Sequence, residues 1–100
     1  MNEFEQSLFT ILYYIPAGKL TTYGRLSKAA GYPNHSRHVG KILARLPKDT
    51  KLPWFRVVNS QGQISLTGEA FLRQKTLLEN EGISVSAEGK IQQFRTLLVE

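Results

Sequence analysis

Apolar residues recur at three- and four-residue spacing in four separate stretches of this chain, and each stretch is short and is cut off by glycine or proline. This pattern limits the fold more than any other feature. It specifies several brief amphipathic helices and leaves little chain for a sheet. The first stretch runs from about Glu3 to Tyr14, with Phe4, Leu8, Ile11, Leu12 and Ile15 on one face, and stops at Pro16-Ala17-Gly18. The second covers about Tyr23 to Ala30. Thr22 is placed to cap its free amide protons, and Gly31 suits the left-handed position after its end. The third opens after Pro33-Asn34, with Asn34 or a neighbour as cap, and runs from about His35 to Leu46. The fourth runs from about Gly68 to Asn80 and ends at Gly82, with Glu69 favouring its N-terminus and Phe71, Gln74, Leu77 and Leu78 on its inner face.

Between the third and fourth stretches, Phe55-Arg56-Val57-Val58 reads as a strand, Asn59-Ser60-Gln61-Gly62 as a turn and Gln63-Ile64-Ser65 as a return strand. The expectation is a mainly helical fold with one small β-hairpin. In the tail, Ile91, Phe94, Leu97 and Leu98 keep helix-compatible spacing, which predicts a short packed or frayed segment. One hundred residues have room for one modest core, so a single domain over residues 1–100 is expected. The second and third helices, joined by Gly31-Tyr32-Pro33-Asn34, make a helix-turn-helix pattern with the third as recognition helix.

The charge is concentrated. From Lys19 to Arg56 there are nine basic residues and one acid, Asp49, a net +8; the rest of the chain nets −3. On the third helix Val39, Ile42, Leu43 and Leu46 share one side, while Arg37, Lys41 and Arg45 fall opposite. Such a block points to an anionic partner, nucleic acid first. Gly40 in that helix costs roughly 1 kcal/mol against alanine. It fits either close approach of another surface or tight packing on the second helix.

The catalytic inventory is thin. There is no cysteine, which removes disulfides, thiolate metal sites and a thiol nucleophile. His35 and His38 are spaced for one helical flank but lack further ligands, so no metal and no cofactor are expected. No phosphate-loop or dinucleotide fingerprint is present. No apolar run approaches the roughly 20 residues of a membrane span, and the acidic N-terminus does not resemble a signal peptide. A cytoplasmic protein, nucleoid-associated when bound to DNA, is the expectation. The only tryptophan, Trp54, follows Pro53; it serves either as a core anchor of the hairpin or as the aromatic wall of a pocket for a flat ligand such as a nucleobase.

Thr21-Thr22-Tyr23-Gly24, then Ser36-Arg37-His38-Val39-Gly40, then Pro53-Trp54-Phe55-Arg56-Val57-Val58 occur in this order and spacing. Together they resemble the DNA-binding domain of the O6-alkylguanine-DNA alkyltransferases, from about Phe4 through Gly82. In those enzymes the third motif reads Pro-Cys-His-Arg-Val and the cysteine takes the alkyl group. Here Trp54 stands in its place, which resembles the alkyltransferase-like proteins, non-catalytic relatives that bind the lesion without repairing it. The N-terminal domain of full-length alkyltransferases is not expected.

The resemblance implies a winged-helix-like helix-turn-helix domain that enters the minor groove and flips O6-alkylguanine out of duplex DNA. It then flags the lesion to nucleotide excision repair proteins of the UvrA type, acting as a monomer. It casts Arg37 as the finger that replaces the flipped nucleotide and Tyr23 as the residue that rotates its phosphate. It assigns the lesion pocket to Tyr23, Trp54, Phe55, Arg56, Val57 and Thr67, with main-chain carbonyls near Trp54 and Val57 accepting from the base. It assigns phosphate contacts to Thr22, Ser36, His38, Gly40, Lys41 and Arg45. Two departures stand out. Phe55 replaces the family's histidine, which breaks any relay to Glu81 and leaves that glutamate a structural role. Leu66-Thr67-Gly68, where some relatives carry a basic residue, has none. The alternative from a different class is a winged-helix-like, sequence-specific transcription regulator, acting as a dimer with no preference for damage.

Overall fold

The computed structural model describes residues 2–99. Helix α1 spans Glu3–Tyr13; Asn2 caps it by accepting from the Glu5 amide at 2.8 Å, and Glu3 and Glu5 lie in the first turn, where acids suit the helix dipole. Its Phe4, Leu8 and Leu12 are buried, as the spacing predicts. Strand β1 is only Thr21–Thr22, and helix α2, Tyr23–Ala29, follows without a break. The Thr22 hydroxyl accepts from the Arg25 amide at 3.1 Å, the expected cap.

The turn into helix α3, Ser36–Ala44, is held by a residue the sequence does not advertise. Ser27, fully buried on α2, donates its hydroxyl proton to the Tyr32 carbonyl and accepts from the His35 amide at 3.1 Å. One hydroxyl thus satisfies both sides of the turn, and a buried polar group needs such partners. Gly31 and Asn34 take positive φ there, 89° and 72°. His35, not Asn34, occupies the cap position of α3, and no side chain caps that helix.

The expected hairpin is not what forms. Pro53 starts a 3-10 turn over Trp54–Arg56, and strand β2 is only Val57–Val58. It pairs in parallel with β1, Thr21 opposite Val57 and Thr22 opposite Val58. Parallel strands cannot be joined by a tight turn; here α2, α3 and the following loop make the crossover. The Asn59–Gly62 turn exists, with the Gly62 amide on the Asn59 carbonyl at 3.0 Å. The return segment then leaves β2. Gln63 bridges Lys90, and the Ile64 amide donates to the Gly89 carbonyl at 2.9 Å. The reason is that β2 is already engaged on both sides, by β1 and by Gln74, whose Nε2 donates to the Phe55 and Val57 carbonyls at 3.0 Å each.

Helix α4, Gly68–Asn80, matches its predicted span, and helix α5 is the short Phe94–Leu97. The tail docks at Leu20, just before β1: the Leu20 amide donates to the Leu97 carbonyl and the Val99 amide to the Leu20 carbonyl, both at 2.9 Å. Buried residues form two clusters. One joins α1, α2, α3 and Val57; the other joins Leu20, Val58, Ile64, Leu78, Ile83 and Ile91. Successive strand residues point to opposite faces, so Val57 and Val58 feed one cluster each.

Candidate nucleic-acid interface

Helix α3 presents its charge outward. Val39 and Ile42 are buried beneath it, while Ser36, Arg37, Lys41 and Arg45 are exposed. Arg37 makes no hydrogen bond or ion pair with any described residue. The first turn of α3 has neither a capping side chain nor an acid. Its free amides and the positive end of its dipole are therefore open to an anion. His38 is placed differently from its neighbours: its ring stacks on Phe4, centroids 5.5 Å apart and planes at 17°. Thr22 is buried and engaged as a cap.

Beside α3 lies a cleft of about 270 Å³, just below the range for small-ligand pockets (roughly 300–1,000 Å³). Tyr23 and Gly40 form one wall and Trp54 another; Leu43, Leu46 and Leu66 add apolar surface. Trp54 belongs to neither buried cluster, is only half-buried, and lines the cleft. A Cβ at Gly40 would lie 4.0 Å from Tyr23 Cε1, an ordinary contact. Packing on α2 therefore does not require glycine at this position. The Ser65 hydroxyl lies 3.4 Å from the Tyr23 hydroxyl.

Four residues expected in the pocket do not line it. Phe55 packs against the second buried cluster. Arg56 turns away from the cleft. Its guanidinium sits 5.1 Å from the Phe55 ring centroid, donates to the Ile15 carbonyl at 2.7 Å, and forms a forked pair with Glu81. Val57 is fully buried. Thr67 is exposed at the start of α4, with no capping bond. The carbonyls expected to receive a base are already engaged, Val57 by Gln74 and Trp54 by the Val57 amide.

Glu81 ties three segments together, accepting from Arg56 and from the Gly18 amide at 3.0 Å. Burial alone would raise its pKa. The hydrogen bonds from Arg56 and Gly18 and the charge of Arg56 outweigh burial and hold the carboxyl below its usual value. This is the structural role its position implied.

Sequence reasoning missed Lys48 and Arg73, which both line the cleft. The Arg73 guanidinium lies 5.6 Å from the Trp54 ring centroid and donates to the Lys48 carbonyl at 2.6 Å. Arg73 stays exposed to solvent on α4, and the approach of the loop after α3 to that helix brings it beside Trp54. Among the described residues, no group of three or more His, Cys, Asp or Glu could hold a metal ion. No helix among them is long and apolar enough to cross a membrane.

A helix-turn-helix with a basic outer helix and an aromatic cleft at its flank defines a class of nucleic-acid-binding domain. The family model for the DNA-binding domain of 6-O-methylguanine DNA methyltransferase matches residues 3–83. The chain is 56% identical over 91 residues to a DNA base-flipping protein of Vibrio parahaemolyticus, covering 91% of each. It is 39% identical over 89 residues to Alkyltransferase-like protein 1 of Schizosaccharomyces pombe, covering 85% of this chain and 81% of that protein. The crystal structure of S. pombe Atl1 in complex with damaged DNA containing O6-carboxymethylguanine aligns with a TM-score of 0.87 and 33% identity, over 100% of this chain and 97% of the other. The chain therefore belongs to the family of 6-O-methylguanine DNA methyltransferase DNA-binding domains, and within it to the alkyltransferase-like, base-flipping proteins.

Proposed function

We propose that this chain binds O6-alkylguanine in duplex DNA, draws the modified nucleotide into the Tyr23–Trp54 cleft, and leaves the alkyl group in place. The observation that carries this reading is the cleft itself: base-sized, aromatic-walled and adjoining the exposed basic face of α3. Flipping costs a few kcal/mol, least where pairing is already damaged. Stacking against an aromatic face returns roughly 1–3 kcal/mol per base, and a cation in the vacated stack offsets more. Ser36, Lys41 and Arg45 hold phosphates without reading sequence, together with the open N-terminus of α3. Gly40 lets the duplex come close.

The absence of alkyl transfer follows from the chemistry of the cleft. Indole nitrogen only donates hydrogen bonds, so Trp54 is no nucleophile. Phe55 has no group that can accept or donate a proton, and Glu81 is committed to Arg56. The bound, undamaged-by-repair complex then serves as a flag for nucleotide excision repair. The test is a competition between duplexes that differ only in O6-methylguanine or guanine, followed by mass spectrometry of DNA and protein. Preference for the lesion with both masses unchanged is expected. Equal affinities would sink the proposal, as would a methylated protein or a demethylated base.

A second variant addresses the missing reagent. Trp54→Cys restores a thiol but not a general base to take its proton, because Phe55 holds the neighbouring position and Glu81 is committed to Arg56. The expected outcome is no detectable methyl adduct on the variant over hours with lesion DNA. Rapid stoichiometric transfer would show that the histidine position is dispensable.

A further inference from the structure

A groove of about 960 Å³ runs between α1, α2 and the tail. At about 100° per residue, its α2 lining, Arg25, Lys28 and Ala29, falls on the flank opposite Tyr23. Ile11, Ile15, Leu26 and Val99 add apolar surface, and Tyr14 stands over it with 74% of its surface exposed. Tyr13, 65% exposed, meets the Tyr14 ring edge-on with centroids 5.1 Å apart. Two bare tyrosines beside apolar surface suit an interface, because each ring supplies contact area at low entropic cost and its hydroxyl tolerates water.

The charge of the groove selects its occupant. Arg25 and Lys28 are exposed, and no aspartate or glutamate lines the groove with them. Among the described residues neither cation forms an ion pair; Arg25 gives one N–H to the Val99 carbonyl at 3.1 Å. A second copy of the chain fits this badly. A two-fold contact lays a patch on itself, which would gather four cations in one apolar interface. An added strand has no place either, since β1 pairs with β2 and the tail is bonded to Leu20. A helix laid between α1 and α2 meets both conditions, with apolar residues inward and carboxylates toward Arg25 and Lys28. Helix α1 has 11 residues, about 16 Å, so about three turns of a partner helix cover the groove. No residue lines both this groove and the Trp54 cleft, and α3 contributes none to the groove.

We propose that the groove between α1 and α2 is a docking site for an acidic amphipathic helix of another protein, held while α3 and the Trp54 cleft are on DNA. The site shares no residue with the cleft, so it stands apart from the lesion reading.

The probe is a synthetic peptide of roughly 16 residues, with leucines at i, i+3, i+4 and i+7 spacing and glutamate and alanine elsewhere. A scrambled peptide of the same composition is the control. Each is titrated into the isotopically labelled intact protein, and amide shifts are followed by two-dimensional NMR. The patterned peptide should bind in the micromolar range, with shifts gathered on Thr10 to Ile15, Arg25 to Ala29 and Val99. The scrambled one should bind at least tenfold more weakly. Lys28→Glu should weaken the patterned peptide roughly fivefold, because it turns an attraction into a repulsion. Tyr14→Ala should weaken it roughly tenfold through lost apolar contact. Both side chains are exposed, so the remaining amide signals should keep their positions. Binding should persist when the protein is saturated with an O6-methylguanine duplex.

Equal binding of the two peptides overturns the proposal, as does a Lys28→Glu variant that binds like the intact protein. Shifts centred on α3, or displacement of the peptide by the duplex, would show only attraction of acid to the DNA-binding face. No binding of the patterned peptide at millimolar concentration also overturns it. Concentration-dependent shifts at the groove without peptide would assign it to a second copy instead. Lesion preference is read separately, by the competition between duplexes.

Discussion

Replacing Glu81 by alanine should destabilise the fold by about 2–3 kcal/mol, roughly 10–20 °C in Tm for a chain of this size. Fully buried pairs cost about 3–5 kcal/mol when one partner is removed. The Arg56 and Glu81 side chains keep 15% and 14% exposure, so solvent screens part of that loss. The effect remains large because Arg56 would be left facing the Ile15 carbonyl and the Phe55 ring with its charge uncompensated. Glu81→Gln keeps an acceptor for the Gly18 amide and should cost less. Thermal melts of the three proteins near neutral pH check the order.

The same pair sets an acid limit. The Glu81 pKa is depressed in the folded state, so its contribution is complete above the unfolded carboxylate value, about 4.3. It is lost as pH falls through the lower, folded value. The Tm gap between the intact protein and Glu81→Gln should therefore be widest near pH 7 and should shrink progressively below about pH 4.3. A gap that stays constant to pH 2 would show that the carboxylate's charge is not what the fold uses.

Local signals were legible in the sequence. Thr22 caps α2 and α4 spans Gly68–Asn80, because caps, left-handed glycines and apolar spacing act within a few residues. Gly31 closes α2 for the same reason. The three motifs carried the family and brought Tyr23 and Trp54 to one cleft. What failed was non-local. Val57-Val58 and Gln63-Ser65 look like a hairpin to any rule based on neighbours. The partner of β2 is 36 residues upstream by register, Thr21 opposite Val57. Gln74 was read as part of a mostly apolar face, and its amide in fact fastens the turn behind Trp54. The family resemblance places Arg56 in the pocket, but the 3-10 turn redirects successive side chains and sends it to Glu81.

Arg37→Ala should weaken binding to an O6-alkylguanine duplex by roughly 1–3 kcal/mol, about 5- to 150-fold in Kd. The residue is exposed on α3 and unpaired among the described residues, so the fold should be untouched. On the proposed reading Arg37 fills the gap in the base stack, a contribution that exists only when a nucleotide has been extruded. Binding to the undamaged duplex should fall much less, by the share of one phosphate-range charge. Parallel titrations against the two duplexes separate the roles. An equal loss on both would reduce Arg37 to a general electrostatic contact.

The seam between Val57 and Val58 has a mechanical consequence. Adjacent residues of one short strand are rooted in different halves of the interior, and Trp54 is joined to that strand by a single helical turn. The wall of the cleft is therefore clamped between two bodies and cannot yield toward either without disturbing the other. On the proposed reading, a nucleotide that enters the cleft meets a wall braced from both halves of the interior.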